Sequence, residues 1–147
     1  INNKYVKVLS DHIMRNDYEY ISYKWDDGSP VMLSHIGIFA ESMTLDFLKK
    51  ISNFTNKPIF EEHVTNFLYE NRNLFNFKFL NIPSYLIGKK NIRLTVDTKE
   101  DFNITKELYK KITLRSTFFE TSDLLKLIDE TPSIIKKMQI QIKKNAK

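Results

Sequence analysis

Arg93-Leu94-Thr95-Val96-Asp97-Thr98-Lys99-Glu100-Asp101 is the stretch on which the reading of the fold turns. Ile92 to Val96 is a short apolar, β-branched run that reads as a strand. Thr98 to Ile112 then carries Phe102, Leu108 and Ile112 on one face of a 3.6-residue repeat, which predicts an amphipathic helix. Thr98 and Asp101 form a Thr-x-x-Asp start, a near relative of the capping box. A strand that turns directly into a helix belongs to an α/β layer, and open α/β sheets bind ligands at the C-terminal ends of their strands. Asp97 stands at that end. Its position makes it a candidate to hold a magnesium ion bridging nucleotide phosphates. The plainer reading is that Asp97 or Thr98 caps the helix, and the two roles can coexist.

Outward from this stretch, strands and helices alternate. Residues 2–15 place Tyr5, Val8, Leu9, His12 and Ile13 on one helical face. Tyr18 to Tyr23 is aromatic and β-branched and ends in the turn cluster Asp26-Asp27-Gly28-Ser29-Pro30, so a strand feeding a loop is expected. Val31 to Ser34 and His35 to Phe39 read as extended segments around Gly37. Thr44 is the expected N-cap of a helix through Asn53 with Leu45, Leu48 and Ile51 inward, and Ile59 to Asn71 reads as one further helix. Phe75, Phe77 and Phe79 alternate with Asn76, Lys78 and Leu80 as a strand. After a link at 84–91, Ser122 to Glu130 is a compact helix. Pro132, suited to a first helical turn, opens a last helix bearing Ile134, Ile135, Met138, Ile140 and Ile142. The summed pattern predicts an α/β fold.

Composition removes whole classes of function. The chain has 147 residues and no cysteine, so disulfides, thiolate zinc sites, iron–sulfur clusters and cysteine nucleophiles are excluded, and a reducing compartment is allowed. A chain this long buries about two-thirds of its unfolded surface, enough for a core without staples. Its apolar runs fall far short of the roughly 18 residues of a membrane-spanning helix. The net charge of +5 is local: residues 131–147 hold five lysines and no acid, leaving the remaining 130 residues formally neutral. Only four of the 23 bases are arginine, which argues against guanine reading or bidentate phosphate clamping. The phenylalanine stripe reads as core rather than as a stacking platform for single-stranded nucleic acid. His12, His35 and His63 lack metal-ligand spacing. Ser10-Asp11-His12 is discounted as a triad because it runs along one helix. Glu61 and Glu62 beside His63 read as a solvated first turn favoured by the helix dipole.

Several segments together resemble a known family. Tyr18 to Ser22 (YEYIS), the Asp27-Gly28 turn, Glu62 to Thr65 (EHVT) with Tyr69-Glu70-Asn71, and Arg93 to Thr98 (RLTVDT) leading into Glu100-Asp101 look like the C-terminal half of a cytidylyltransferase. The likeness is to spore-coat polysaccharide biosynthesis F-like proteins, kin of the CMP-sialic acid and CMP-Kdo synthetases, and runs over about 110 residues. It implies the C-terminal part of a Rossmann-like nucleotidyltransferase fold, a mixed sheet flanked by helices, in a cytoplasmic enzyme of surface polysaccharide or glycoconjugate synthesis. The reaction would join CTP to a sugar, giving a CMP-sugar and pyrophosphate. By the same resemblance Asp97 is the second of two magnesium-binding aspartates and the catalytic residue. Arg93, as the nearest cation, and His63 and Thr65, on the sugar side, are the substrate-binding residues it implies. For His63, a helix-start residue bonded to backbone is the competing reading.

The resemblance also has gaps. The family's glycine- and basic-rich phosphate loop and its first metal aspartate have no counterpart, since Gly28, Gly37 and Gly88 form no G-x-G arrangement. Residues 1–131 are therefore expected to be the C-terminal part of a cytidylyltransferase-like domain without its nucleotide-binding part, with 132–147 a basic helix packed on it. CTP and a sugar are the expected partners of the intact enzyme, with no nucleic acid and no membrane. The isolated chain is expected to be catalytically silent. A homodimer is allowed, with Trp25 to Phe39 the expected contact. The alternative is a non-catalytic interaction or assembly module derived from such an enzyme.

Overall fold

The computed structural model describes residues 3–55 and 57–145, with Glu61 and Glu62 described by backbone alone. One strand organises it. β1 (Tyr20–Lys24) pairs antiparallel with β2 (Ser42–Met43) and parallel with β3 (Phe77–Asn81), giving a mixed three-stranded sheet in the order β2-β1-β3. Side chains alternate across a strand, so β1 feeds two cores. Ile21 and Tyr23 enter a large cluster on one face, while Tyr20 enters a smaller, aromatic one on the other.

The large core is closed by four helices: α1 (Asn3–Arg15), α5 (Lys99–Arg115), α6 (Thr121–Asp129) and α7 (Pro132–Lys144). Tyr5 and Leu9 carry α1, Ile104, Leu108 and Ile112 carry α5, and Ile134 and Met138 carry α7. These four-residue steps fix the phase of each helix. Phe102 and Ile140, expected inward, lie two residues from a buried position, roughly 200° around the helix, and are exposed. Val8 is exposed for a related reason, one residue off the Tyr5–Leu9 stripe. The lysines of α7 stay outside its buried stripe, and Lys137 pairs with Glu107 of α5 at 2.8 Å. Glu61 and Glu62 side chains and Lys147 lie outside the described residues.

The aromatic core lies under α2 (Leu45–Phe54), α3 (Pro58–Glu62) and α4 (Val64–Glu70). Thr44 caps α2 as expected, accepting from the Phe47 amide at 3.1 Å. Its buried stripe is Phe47 and Ile51, however, and this leaves Leu45 exposed. The single helix expected over Ile59 to Asn71 is two helices meeting at His63, whose backbone (φ −121°, ψ 67°) is not helical. The break lets Phe60 and Phe67 meet edge to face with centroids 5.2 Å apart, while Ile59 turns outward. Phe75 is buried against Phe47 and Phe67, and Phe77 and Phe79 of the phenylalanine stripe are half-buried against the same cluster.

Two further expectations change. Val31 to Leu33 is a single 3₁₀ turn. Ile92 to Val96 is extended but joins no ladder: the Leu94 and Thr95 amides share one acceptor, the His35 carbonyl, at 2.9 and 3.3 Å. The facing segment turns away at Gly37 (φ +66°), where a Cβ would sit 2.7 Å from the Leu94 carbonyl carbon. Only glycine allows that approach. Trp25, Val31, Ile36 and Phe39 are buried in this chain's own core, while Asp26, Asp27, Gly28 and Leu33 of the segment expected to meet a second subunit are exposed.

Candidate functional site

Asp97 and Thr98 share the entry to α5 between them. Thr98 is the N-cap: its hydroxyl accepts from the Asp101 amide at 3.1 Å, and Asp101 Oδ2 accepts from the Thr98 amide at 3.0 Å. The Asp97 side chain is therefore free of capping. It pairs instead with Arg93, whose Nη2 donates to Asp97 Oδ2 at 2.8 Å. Arg93 is 2% exposed and clamps Asp101, itself 3% exposed, with Nε on Oδ1 and Nη2 on Oδ2, both at 2.8 Å. Arginine has no acceptor, so His35 Nδ1 accepts from Nη1. A bidentate pair of this kind is among the strongest hydrogen-bonding arrangements available to side chains. Its guanidinium, with the Thr98 and Asp97 amides, holds the Asp101 carboxyl well below the usual carboxylate range despite burial. Arg93 thus acts through Asp97. One Asp97 oxygen is tethered, while the side chain remains 56% exposed at the positive end of α5.

His63 and Thr65 belong to a different place. They line a cavity of about 610 Å³ between the 3₁₀ turn at Met32-Leu33, Leu48 of α2, and the α3–α4 junction. His63 joins the helices by backbone, accepting from the Asn66 amide at 3.0 Å, and its imidazole makes no cap hydrogen bond. Glu41 and Tyr69 also line this cavity. The Tyr20 hydroxyl donates to Glu41 Oε2 at 2.6 Å and lies 2.8 Å from the Tyr69 hydroxyl, and the Thr65 hydroxyl interacts with both Glu41 and Tyr69. Burial pushes the Glu41 carboxyl up, with the Tyr20 and Thr65 bonds pulling the other way, and burial pushes the Tyr69 phenol up to about 12.

The four residues singled out from sequence therefore fall into two groups, Arg93 with Asp97 and His63 with Thr65. Met32 borders both the large cavity and a smaller one of about 90 Å³ that reaches Thr95, whose buried hydroxyl has no partner. Sequence reasoning missed Glu41, Tyr20 and Tyr69. Tyr20 and Tyr69 lay within quoted segments, but Glu41 sat in an unremarkable Ala-Glu-Ser context with no pattern to mark it. For magnesium the donor set is incomplete: a hard cation takes about six oxygens. Asp97 offers a single carboxylate, and no group of three or more His, Asp or Glu among the described residues could hold a metal. Asp97 suits one position in a shell completed by other donors. Among the described residues no helix is long and apolar enough to cross a membrane.

No family model matches the chain. It is 32% identical over 124 residues to an uncharacterised protein of Methanocaldococcus jannaschii, covering 84% of this chain and 46% of that one. It is 30% identical over 116 residues to the spore coat polysaccharide biosynthesis protein SpsF of Bacillus subtilis, covering 76% of this chain and 48% of that protein. The chain thus spans about half the length of the curated relatives it matches. Among solved structures it matches a cytidylyltransferase from Leptospira borgpetersenii serovar Hardjo-bovis with a TM-score of 0.68 and 25% identity, over 92% of this chain and 53% of that one.

Proposed function

We propose that this chain, a cytidylyltransferase-family protein by its likeness to SpsF and to a solved cytidylyltransferase, forms the sugar-binding and α5-side part of an enzyme that transfers CMP from CTP to a sugar. A sugar hydroxyl oxygen bonds to the α-phosphorus, the α–β phosphoanhydride breaks, pyrophosphate leaves, and the hydroxyl proton passes to a base. The observation that carries this reading is the Asp97 carboxylate, held by a buried arginine whose every nitrogen is hydrogen-bonded, yet open to solvent at a helix N-terminus. A carboxylate needed only for folding has no reason to be so tightly oriented and so exposed. Arg93 is its positioning residue: the clamp on Asp101 fixes the guanidinium, and the guanidinium fixes Asp97. Magnesium, when bound through Asp97 and other donors, would neutralise the triphosphate. His63 and Thr65 face the cavity that would seat the sugar, on the far side of Met32 from Thr95.

The test uses the intact protein that contains this chain. CTP-dependent pyrophosphate release should fall by about 10²- to 10³-fold in Asp97→Asn, the scale seen when one group stabilising developing charge is lost, with the thermal midpoint nearly unchanged. A rate close to that of the parent would reduce Asp97 to a surface ion-pair partner and leave the chain a non-catalytic module.

A further inference from the structure

The cavity's hydrogen bonds have a direction. A phenol carries one proton. Tyr20 gives its proton to Glu41 Oε2 and the Thr65 hydroxyl spends its own within the cluster, so the Tyr69 proton is drawn inward, to the Tyr20 or the Thr65 oxygen. With its proton spent inward, Tyr69 can offer the cavity only oxygen lone pairs. Glu41 is in the same position: a carboxylate has about four lone-pair sites, and Tyr20 and Thr65 account for two. The floor is therefore an array of acceptors. Its walls include apolar Met32, Leu48, Ile59 and Val64, and no lysine or arginine is among the described lining residues.

Resting on the reading of this cavity as the sugar seat, we propose that it takes the uncharged, donor-rich face of a sugar, with Glu41 as the specificity-determining residue that accepts from a sugar hydroxyl. A carboxylate or phosphate placed there would meet Glu41 with no lysine or arginine among the described lining residues to offset it, so any acidic group on the sugar lies outside this seat. The apolar walls suit ring C–H faces or an acyl methyl group, which lose nothing on leaving water. Partial desolvation of Glu41 strengthens the case: a half-buried carboxylate with open lone pairs costs free energy that a donating ligand restores.

Titration of the 147-residue chain, followed through the amide signals of His63, Thr65 and Asn66, tests the seat without CTP or turnover. N-acetylglucosamine should shift these signals saturably. Its fully O-methylated analogue, which keeps the acceptors and loses the hydroxyl donors, should bind at least about tenfold more weakly, as expected when buried polar groups are left unpaired. Glu41→Gln, which keeps the shape, should weaken N-acetylglucosamine by a similar factor with an unchanged circular dichroism spectrum, and sodium acetate should leave the signals unmoved. Absence of saturable shifts, equal binding of the methylated sugar, unaltered affinity in Glu41→Gln, or displacement of the sugar by acetate each overturns the proposal. Loss of the transferase reading through the Asp97 test leaves this result standing, and failure here leaves the Asp97 result standing.

Discussion

The Arg93–Asp101 cluster holds a buried carboxylate and the Glu41–Tyr20–Tyr69 cluster a half-buried one, and they treat it in opposite ways. Asp101 is matched by a bidentate guanidinium and two backbone amides, and its carboxyl is driven below the ordinary range. Glu41 has hydroxyl donors, with no lysine or arginine among its described partners, and burial pushes its carboxyl up. A carboxylate whose lone pairs and charge are both answered is a structural joint. One that is desolvated with acceptors left open beside a cavity is poised for a ligand. The contrast separates what holds Asp97 in place from what would recognise a substrate.

The comparison breaks most visibly at the joint. Asp101→Ala strands Arg93 in the core and should cost about 3 to 5 kcal/mol, read from the denaturant midpoint; a loss below about 1 kcal/mol would mean that water or rearrangement supports the guanidinium. Gly37→Ala comes next, since it combines a left-handed backbone with a Cβ against the Leu94–Thr95 peptide, and a loss of about 1 to 3 kcal/mol is expected. Tyr20→Phe removes the hydroxyl between Glu41 and Tyr69 and should cost about 1 to 2 kcal/mol; a neutral effect would show that Tyr69 turns to Glu41 directly.

The smallest effect is the most diagnostic, because pH moves the two carboxylates oppositely. The folded pKa of Asp101 is depressed, so its stabilisation is present above the unfolded value of about 4 and is lost only as pH falls through the lower folded value. The folded pKa of Glu41 is raised, so its contribution favours the fold at low pH and fades as pH rises through the folded value. Glu41→Gln should therefore be at least as stable as the parent at neutral pH, with the difference vanishing on acidification toward about pH 4. A parent that outlasts Glu41→Gln at neutral pH would place Glu41 with Asp101 as a structural group.

Much of this was legible in the residues. The Thr98–Asp101 capping box, the Thr44 cap, the glycine turn after β1 and the strands β1 and β3 follow from local chemistry, and the structure has them. The phases of α2, α5 and α7 were read in part wrongly, because several apolar residues compete for one stripe and only the partner surface chooses among them. Phe102 and Ile104 are both apolar, and Ile104 is buried because Leu108 and Ile112 stand one and two four-residue steps beyond it. In the site, Asp97, Arg93, His63 and Thr65 were visible because they sit in quoted motifs. Glu41 was invisible because nothing local distinguishes a glutamate that will be desolvated from one that will face water.

What the sequence determined by itself is the set of local commitments: where chains turn, where helices begin, and which side chains carry charge. These depend on interactions within about four residues. Only the tertiary structure decided that Arg93 is spent on Asp101 and Asp97, that His35 backs the guanidinium, and that Glu41 meets Tyr20 from 21 residues away. Protonation, burial and direction of hydrogen bonding are properties of surroundings, and the surroundings are assembled by packing two cores against opposite faces of β1.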